Sequence, residues 1–140
     1  MTELVHIIRR EHFSAAHKLF LPGLSDEENY QIFGKCSNPN WHGHNYILYV
    51  TIKGAVDPET GLVIHLRQVS KLIEEKVLMR IDHRNLNLEV DFLKGKVPTS
   101  ENVAIGIWNE LADEIKKLGG ILHCIRLEQS ENNIVEYFGA

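Results

Sequence analysis

From Asn45 to Lys53 apolar side chains hold alternate positions, Tyr46, Leu48, Val50 and Ile52, a period of two that marks a strand with one strongly apolar face. Such a face has to be covered by a second layer. The chain supplies that cover further on. Leu66, Val69, Leu72, Ile73 and Val77 fall at helical spacing, and Val103, Ile107, Leu111 and Ile115 recur every four residues. Pro98-Thr99-Ser100 starts the second of these helices, Lys116 and Lys117 suit the negative end of its dipole, and Gly119-Gly120 stops it. Leu4 to Phe13 reads as an earlier strand ending in Ser14-Ala15-Ala16. Ile121 to Gln129 and Ile134 to Phe138 read as two closing strands around a turn at Ser130 to Asn133.

The order ββααββ predicts an α+β fold in a single domain, residues 1–140: a four-stranded antiparallel sheet with two helices packed on one face. Two exposed sheet edges make an oligomer the expected state. The connection from about Pro22 to Asn40 is long for a compact domain, which marks it as functional ground. Within it Ser25-Asp26-Glu27-Glu28 is a capping box for a short helix that stops near Gly34.

Composition narrows the function classes. Hydrophobic residues at 44% against 24% charged belong to a chain that buries a core, which excludes disorder. Lys and Arg total 15 against 19 Asp and Glu, a net charge of −4, so the basic excess of a nucleic-acid binder is missing while a small anionic substrate remains compatible. No apolar run approaches the roughly 18 residues of a membrane span. Met1-Thr2-Glu3-Leu4-Val5-His6 lacks the blocks of a signal peptide, so cytoplasmic residence is expected. Cys36 and Cys124 cannot make a disulfide framework, whereas eight histidines in 140 residues stand out.

Trp41-His42-Gly43-His44 leads into the Tyr46 strand. Residues two apart in an extended chain share a face, so His42 and His44 can bind one ion, with His17 at the end of the first strand as a third ligand. The alternative is a surface coincidence in a histidine-rich chain. Cys36, beside Lys35 in a loop bounded by glycine and proline, can serve as base, nucleophile or fourth ligand, or be idle; Cys124, mid-strand, reads as a small buried hydrophobe. Asp82-His83 is either an acid/base unit or helix C-terminal chemistry. Glu128, acidic in an apolar strand, can accept paired hydrogen bonds from an amino-pyrimidine edge or simply face solvent.

Taken in order, these pieces resemble the 6-pyruvoyl-tetrahydropterin synthase family. The matching text is Phe13-Ser14-Ala15-Ala16-His17, Gly34-Lys35-Cys36, Asn38-Pro39-Asn40 and His42-Gly43-His44-Asn45-Tyr46. It continues with Asp57-Pro58 and Thr60-Gly61, Asp82-His83 with Asn85-Leu86-Asn87, Thr99-Ser100-Glu101-Asn102-Val103-Ala104, and Glu128 ahead of Asn132-Asn133. The resemblance runs from about His12 to Tyr137. It implies a tunnelling fold (T-fold) assembled as a homohexamer, and Zn2+ on His17, His42 and His44. It also implies catalysis by Cys36, Asp82 and His83, some of it across subunits. A pterin anchor falls on Glu128, and Glu101, Thr99 and Ser100 line the same pocket.

The implied reaction converts 7,8-dihydroneopterin triphosphate to 6-pyruvoyl-tetrahydropterin with release of triphosphate, needing no nicotinamide or flavin. Lys35, Lys18, Arg9 and Arg10 are candidate cations for the triphosphate. The 6-carboxy-tetrahydropterin synthases share the zinc histidines but usually carry the cysteine closer to the H-G-H motif; here five residues separate Cys36 from His42. A non-catalytic zinc-binding scaffold is the alternative of another class, and intact Cys36, Asp82, His83 and Glu128 weigh against it. Two stretches depart from the family: Trp41 stands where relatives usually have glycine, and Ile64-His65-Leu66-Arg67-Gln68 differs at the start of the first long helix.

Overall fold

Tyr46, Leu48, Val50 and Ile52 are at most 1% exposed, so the alternating strand does present its apolar face to a covering layer. The computed structural model, which describes residues 3–140, runs β1 (Leu4–His17), α1 (Asp26–Phe33), β2 (His42–Ala55), α2 (Leu66–Ile73), α3 (Met79–Ile81) and β3 (Arg84–Asn85). α4 (Ser100–Lys117), β4 (Ile121–Ser130) and β5 (Asn133–Tyr137) complete it. A π-helical turn over Glu74–Leu78 joins α2 to α3, so Leu66 to Ile81 is one continuous rod.

The α+β class holds, but the sheet has five strands rather than four, in the order β3-β1-β2-β4-β5. β3 pairs parallel to β1 while the other pairs are antiparallel, so the sheet is mixed. Two residues carry no detectable period, which is why β3 leaves no trace in the sequence pattern. What makes it a strand is the free edge of β1: the His83 N–H donates to the Ser14 carbonyl at 2.6 Å and the Leu86 N–H to the Ala16 carbonyl at 2.8 Å. α1 adds a further helix in the long connection. Its capping box forms in full, Glu28 N–H to Ser25 Oγ and Ser25 N–H to Glu28 Oε1, both at 3.1 Å.

The two long helical rods pack on one face of the sheet, contributing Val69, Ile73, Val77 and Ile81 from one and Val103, Ile107, Leu111 and Ile115 from the other, each fully buried. Ile64, from the divergent stretch before α2, joins this core, while Leu66 beside it is exposed. Leu111→Ala empties a site at the centre of the stripe. It should cost about 3 kcal/mol, read as a lowered urea midpoint with an unchanged slope. Among the described residues the opposite face of the sheet carries no helix and leaves Leu4, Ile8 and Ile121 more than half exposed. Among the described residues no helix is long and apolar enough to cross a membrane.

Candidate metal centre and the clefts around it

β1 and β2 pair along their whole length, and the register sets His17 opposite His42 and Ala15 opposite His44. Both histidines of β2 therefore point to the face on which His17 ends β1. The ring centroids lie 4.6 Å (His17–His42), 5.1 Å (His17–His44) and 4.9 Å (His42–His44) apart, and one ring nitrogen from each comes within 4.8 Å of the others. Gly43 between them lies close against β1. A Cβ there would stand 3.3 Å from the Ala15 carbonyl oxygen, so a larger residue would push the two strands apart at the cluster.

The donor set fits a metal ion. His17 is fully buried, and its Nδ1 lies 2.9 Å from the Pro98 carbonyl, an acceptor only, so the proton sits on Nδ1 and the Nε2 lone pair is free. His17 Nε2 and His42 Nδ1 are buried without a hydrogen-bond partner, a costly arrangement that a bound cation relieves. Burial, the largest influence, pushes the His17 ring down to about 4 despite the Pro98 hydrogen bond, and His42 and His44 push it further. Burial also lowers His42 and His44, the latter helped by His42. All three rings are thus neutral near pH 7, the form that ligates.

This burial has a consequence for stability. Below the ordinary histidine value of 6.5, the unfolded chain takes up a proton at His17 that the folded chain refuses until about pH 4. The unfolded state binds more protons in that window, so stability falls as pH drops through it and levels off beneath. Chelator-treated protein should lose about 3 kcal/mol between pH 7 and pH 4 from this group, visible in urea titrations and much reduced in His17→Gln.

Cys36 lies in a 3-10 turn over Gly34–Ser37, partly buried, and its carbonyl accepts from the Leu19 N–H at 2.8 Å just beyond His17. It also neighbours Tyr46. Burial first, and the Cys36 sulfur second, push the Tyr46 phenol above its ordinary range. That phenol oxygen is buried and unpartnered, and the ring stands 5.7 Å from His44 and 6.3 Å from His17. Cys36 and the histidines therefore border the same space. Cys124 is buried, as its strand position predicts.

Asp82 and His83 lie elsewhere. The Asp82 carboxylate accepts from the Ser14 N–H at 2.9 Å and approaches His83 Nδ1 at 3.0 Å. Burial alone would raise it, but the Ser14 N–H and the His83 ring outweigh burial and hold it below the usual carboxylate range. His83, at φ 60, is held in the left-handed region and its side chain is 82% exposed. It opens onto a cleft of about 470 Å³ floored by Ser14, Ala16 and Asn45, the residues that alternate with the metal-facing ones. Ala15 and His44 border the same cleft, whereas His17, His42 and Cys36 do not line it.

Glu128 is also turned away. It is the register partner of Ile47, on the face opposite Leu127, and its carboxylate meets Arg126 at 3.5 Å. The parity that buries Leu127 turns Gln129 toward the cluster, where its amide approaches His44 Nε2 at 3.2 Å and its oxygen accepts from Ser100 Oγ. Glu128, where the resemblance sets a pterin anchor, thus stands on the face away from the cluster, and Gln129 beside it faces the cluster. Ser100, Glu101 and Gln129 border a cavity of about 350 Å³. Thr99 caps α4 through Oγ1, which accepts from the Asn102 N–H at 3.1 Å. Trp41, directly before His42, sits at φ 68, a left-handed conformation natural to glycine and costing roughly 1 kcal/mol or more elsewhere.

Residues 6–140 match the family model described as 6-pyruvoyl tetrahydropterin synthase. The 6-pyruvoyl tetrahydrobiopterin synthase of Pongo abelii is 46% identical over 133 residues, covering 95% of this chain and 90% of that one. The structure of Caenorhabditis elegans 6-pyruvoyl tetrahydropterin synthase superposes with a TM-score of 0.89 at 41% identity, over 99% of this chain and 98% of that one. More distant, a putative 6-carboxy-5,6,7,8-tetrahydropterin synthase of Archaeoglobus fulgidus is 32% identical over 124 residues, 89% of this chain and 87% of its own.

Proposed function

Because the chain belongs to the 6-pyruvoyl tetrahydropterin synthase family, we propose that its histidine cluster is a zinc site and that Cys36, Asp82 and His83 carry the chemistry of that family's reaction. The chain is a lyase of tetrahydrobiopterin biosynthesis: it converts 7,8-dihydroneopterin triphosphate to 6-pyruvoyl-tetrahydropterin and releases triphosphate. The observation that carries the site assignment is the pair of orphaned imidazole nitrogens, His17 Nε2 and His42 Nδ1, buried beside His44.

His17, His42 and His44 would hold the ion, and three neutral ligands leave a position open for substrate. Bound there, zinc supplies Lewis-acid polarisation of the substrate's side-chain oxygens. The protein's own groups do the rest. Pro98 fixes the His17 tautomer through Nδ1, keeping its Nε2 lone pair aimed inward. The Cys36 thiolate takes the proton from the side-chain carbinol carbon next to the ring. Those electrons reduce the ring C=N bond, which takes up two protons while that carbinol becomes a ketone. Loss of the proton from the second carbinol carbon then expels triphosphate with its oxygen, leaving an enol that becomes the methyl ketone. Asp82, an acceptor held ionised, orients His83 so that the imidazole can pass protons back to the side chain and ring. The Ser100–Glu101–Gln129 cavity receives the pterin, with Gln129 rather than Glu128 turned to the ring.

Asp82 and His83 reach the chemistry from a second copy of the chain. The uncovered sheet face and the free length of the β1 edge are what such a copy covers, and the closed form of the assembly is a hexamer. Zinc-loaded protein given dihydroneopterin triphosphate should release triphosphate and form the pyruvoyl product. Cys36→Ala should keep its zinc and lose turnover by on the order of a thousandfold. Formation of a 6-carboxy product instead would move the chain to the other branch of the family, and full activity in Cys36→Ala would remove the cysteine from the mechanism.

A further inference from the structure

The amide of Gln129 stands between the histidine cluster and the cavity beside it. Gln129 lies where the β4–β5 ladder skips a residue: Glu128 pairs with Ile134 and Ser130 with Asn133, which leaves Gln129 between them without a register partner on β5. Such an irregularity re-aims a side chain. Here the side chain turns to the face that buries Leu127, where it meets the start of α4 through one end and His44 through the other.

The two ends are held differently. The amide oxygen accepts from Ser100 Oγ in the first turn of α4. That turn is itself fixed: Thr99 caps it, Asn102 Nδ2 donates to the Val97 carbonyl at 2.8 Å, and the Pro98 carbonyl holds His17 Nδ1. With its oxygen engaged there, Gln129 presents its nitrogen to His44 Nε2 at 3.2 Å. An amide nitrogen only donates, so His44 Nε2 receives the bond on its lone pair and the proton of the neutral ring sits on Nδ1. That lone pair is the one the ring can offer an ion. A metal ion and the Gln129 N–H therefore compete for the same site on His44. Once displaced, the N–H has the cavity of about 350 Å³ beside it, which Gln129 lines with Ser100, Glu101 and Asn132.

We propose that Gln129 is a positioning residue that couples the two halves of the site: an ion on His17, His42 and His44 releases the Gln129 amide from His44 and frees it for a ring in the neighbouring cavity, so that metal and pterin each strengthen the other's binding. This rests on the functional reading above for the identities of the ion and the ring, whereas the competition for the His44 lone pair does not. Linkage makes the factor equal in both directions, and one neutral hydrogen bond sets it at about fivefold.

The test is calorimetric titration with 7,8-dihydropterin, which has no side-chain hydroxyls for an ion to hold, of zinc-loaded and chelator-treated protein. The native chain, Gln129→Leu and Gln129→Glu are compared, and zinc affinity is read alongside by chelator competition without pterin. The native chain should bind the pterin about fivefold more tightly when zinc is present. In Gln129→Leu and in Gln129→Glu, which keeps the shape but has no N–H to give His44, the two states should agree within about twofold. Gln129→Leu should also bind zinc about fivefold more tightly than the native chain, because the competing N–H is gone. A side chain that merely supported His44 would do the reverse, its loss weakening zinc by about tenfold or more. Equal pterin affinity in the two native states, coupling that survives in Gln129→Leu, or weaker zinc in that variant would each overturn the proposal. Native protein that takes up no zinc would remove the metal reading and the coupling with it. Stoichiometric zinc and normal turnover without coupling would remove the coupling alone. Coupling in a native protein that leaves dihydroneopterin triphosphate unchanged would keep the coupling and remove the reaction assignment.

Discussion

His17→Ala should strip the protein of bound zinc and of turnover together. Of the three histidines it is the one with no exposed surface, the one whose tautomer is fixed by a backbone carbonyl, and the one that burial holds most firmly neutral. Removing it leaves two ligands, one of which, His42, has its buried nitrogen unpartnered once more. Metal content should fall from about one ion per subunit to near zero, and activity by on the order of a thousandfold or more. Elemental analysis of purified variant and native protein reads the first, triphosphate release the second. Chelator treatment of the native chain is the control that leaves packing untouched, and it should reproduce the loss and be reversed by added zinc. A variant that retains stoichiometric zinc would place the metal elsewhere.

The second large effect is a rescue. Cys36→Ala and His83→Ala should each be inactive alone, yet oligomers assembled from an equal mixture should recover roughly a quarter of native activity. The reason is their separation within one subunit: Cys36 lies beside Tyr46, while the largely exposed His83 side chain opens onto a cleft that the cysteine turn does not line. When each site draws its cysteine from one subunit and its histidine from another, random mixing leaves one site in four with both intact. If both groups came from the same subunit, every subunit of the mixture would carry a defect and no activity would return. Unfolding and refolding the mixture together, then assaying against the unmixed variants, decides between them.

The histidine cluster was legible because its signal is local and periodic. His42 and His44 stand two apart in a strand, and a strand's period of two puts them on one face whatever the rest of the fold does. His17 needed one further inference, that β1 is the neighbour of β2, and the observed register bears it out by setting His17 opposite His42. The two long helices were legible for the same kind of reason: Val103, Ile107, Leu111 and Ile115 repeat at the helical period, and Thr99 and Gly119 punctuate the ends. Glu128 shows the opposite case. The resemblance sets a pterin anchor there, while the alternation that buries Leu127 turns Glu128 outward and Gln129 toward His44.

What the sequence by itself determined is therefore whatever depends on spacing along one element: strand faces, helix stripes, caps, and the pairing of His42 with His44. Tertiary structure decided what depends on meetings between elements far apart in the chain. β3 exists because the β1 edge offers carbonyls to the N–H groups of His83 and Leu86 on either side of it, and two residues on their own have no period to betray it. Asp82 and His83 were recognisable as a pair, but only the pairing of that edge holds them at Ser14, beside the β1 edge. The Asn87 side chain reaches the Lys18 backbone across 69 residues of chain, a meeting that no spacing along one element announces. Local periodicity costs the chain nothing to express, whereas these contacts close loops of dozens of residues and form only when the whole core holds their ends together.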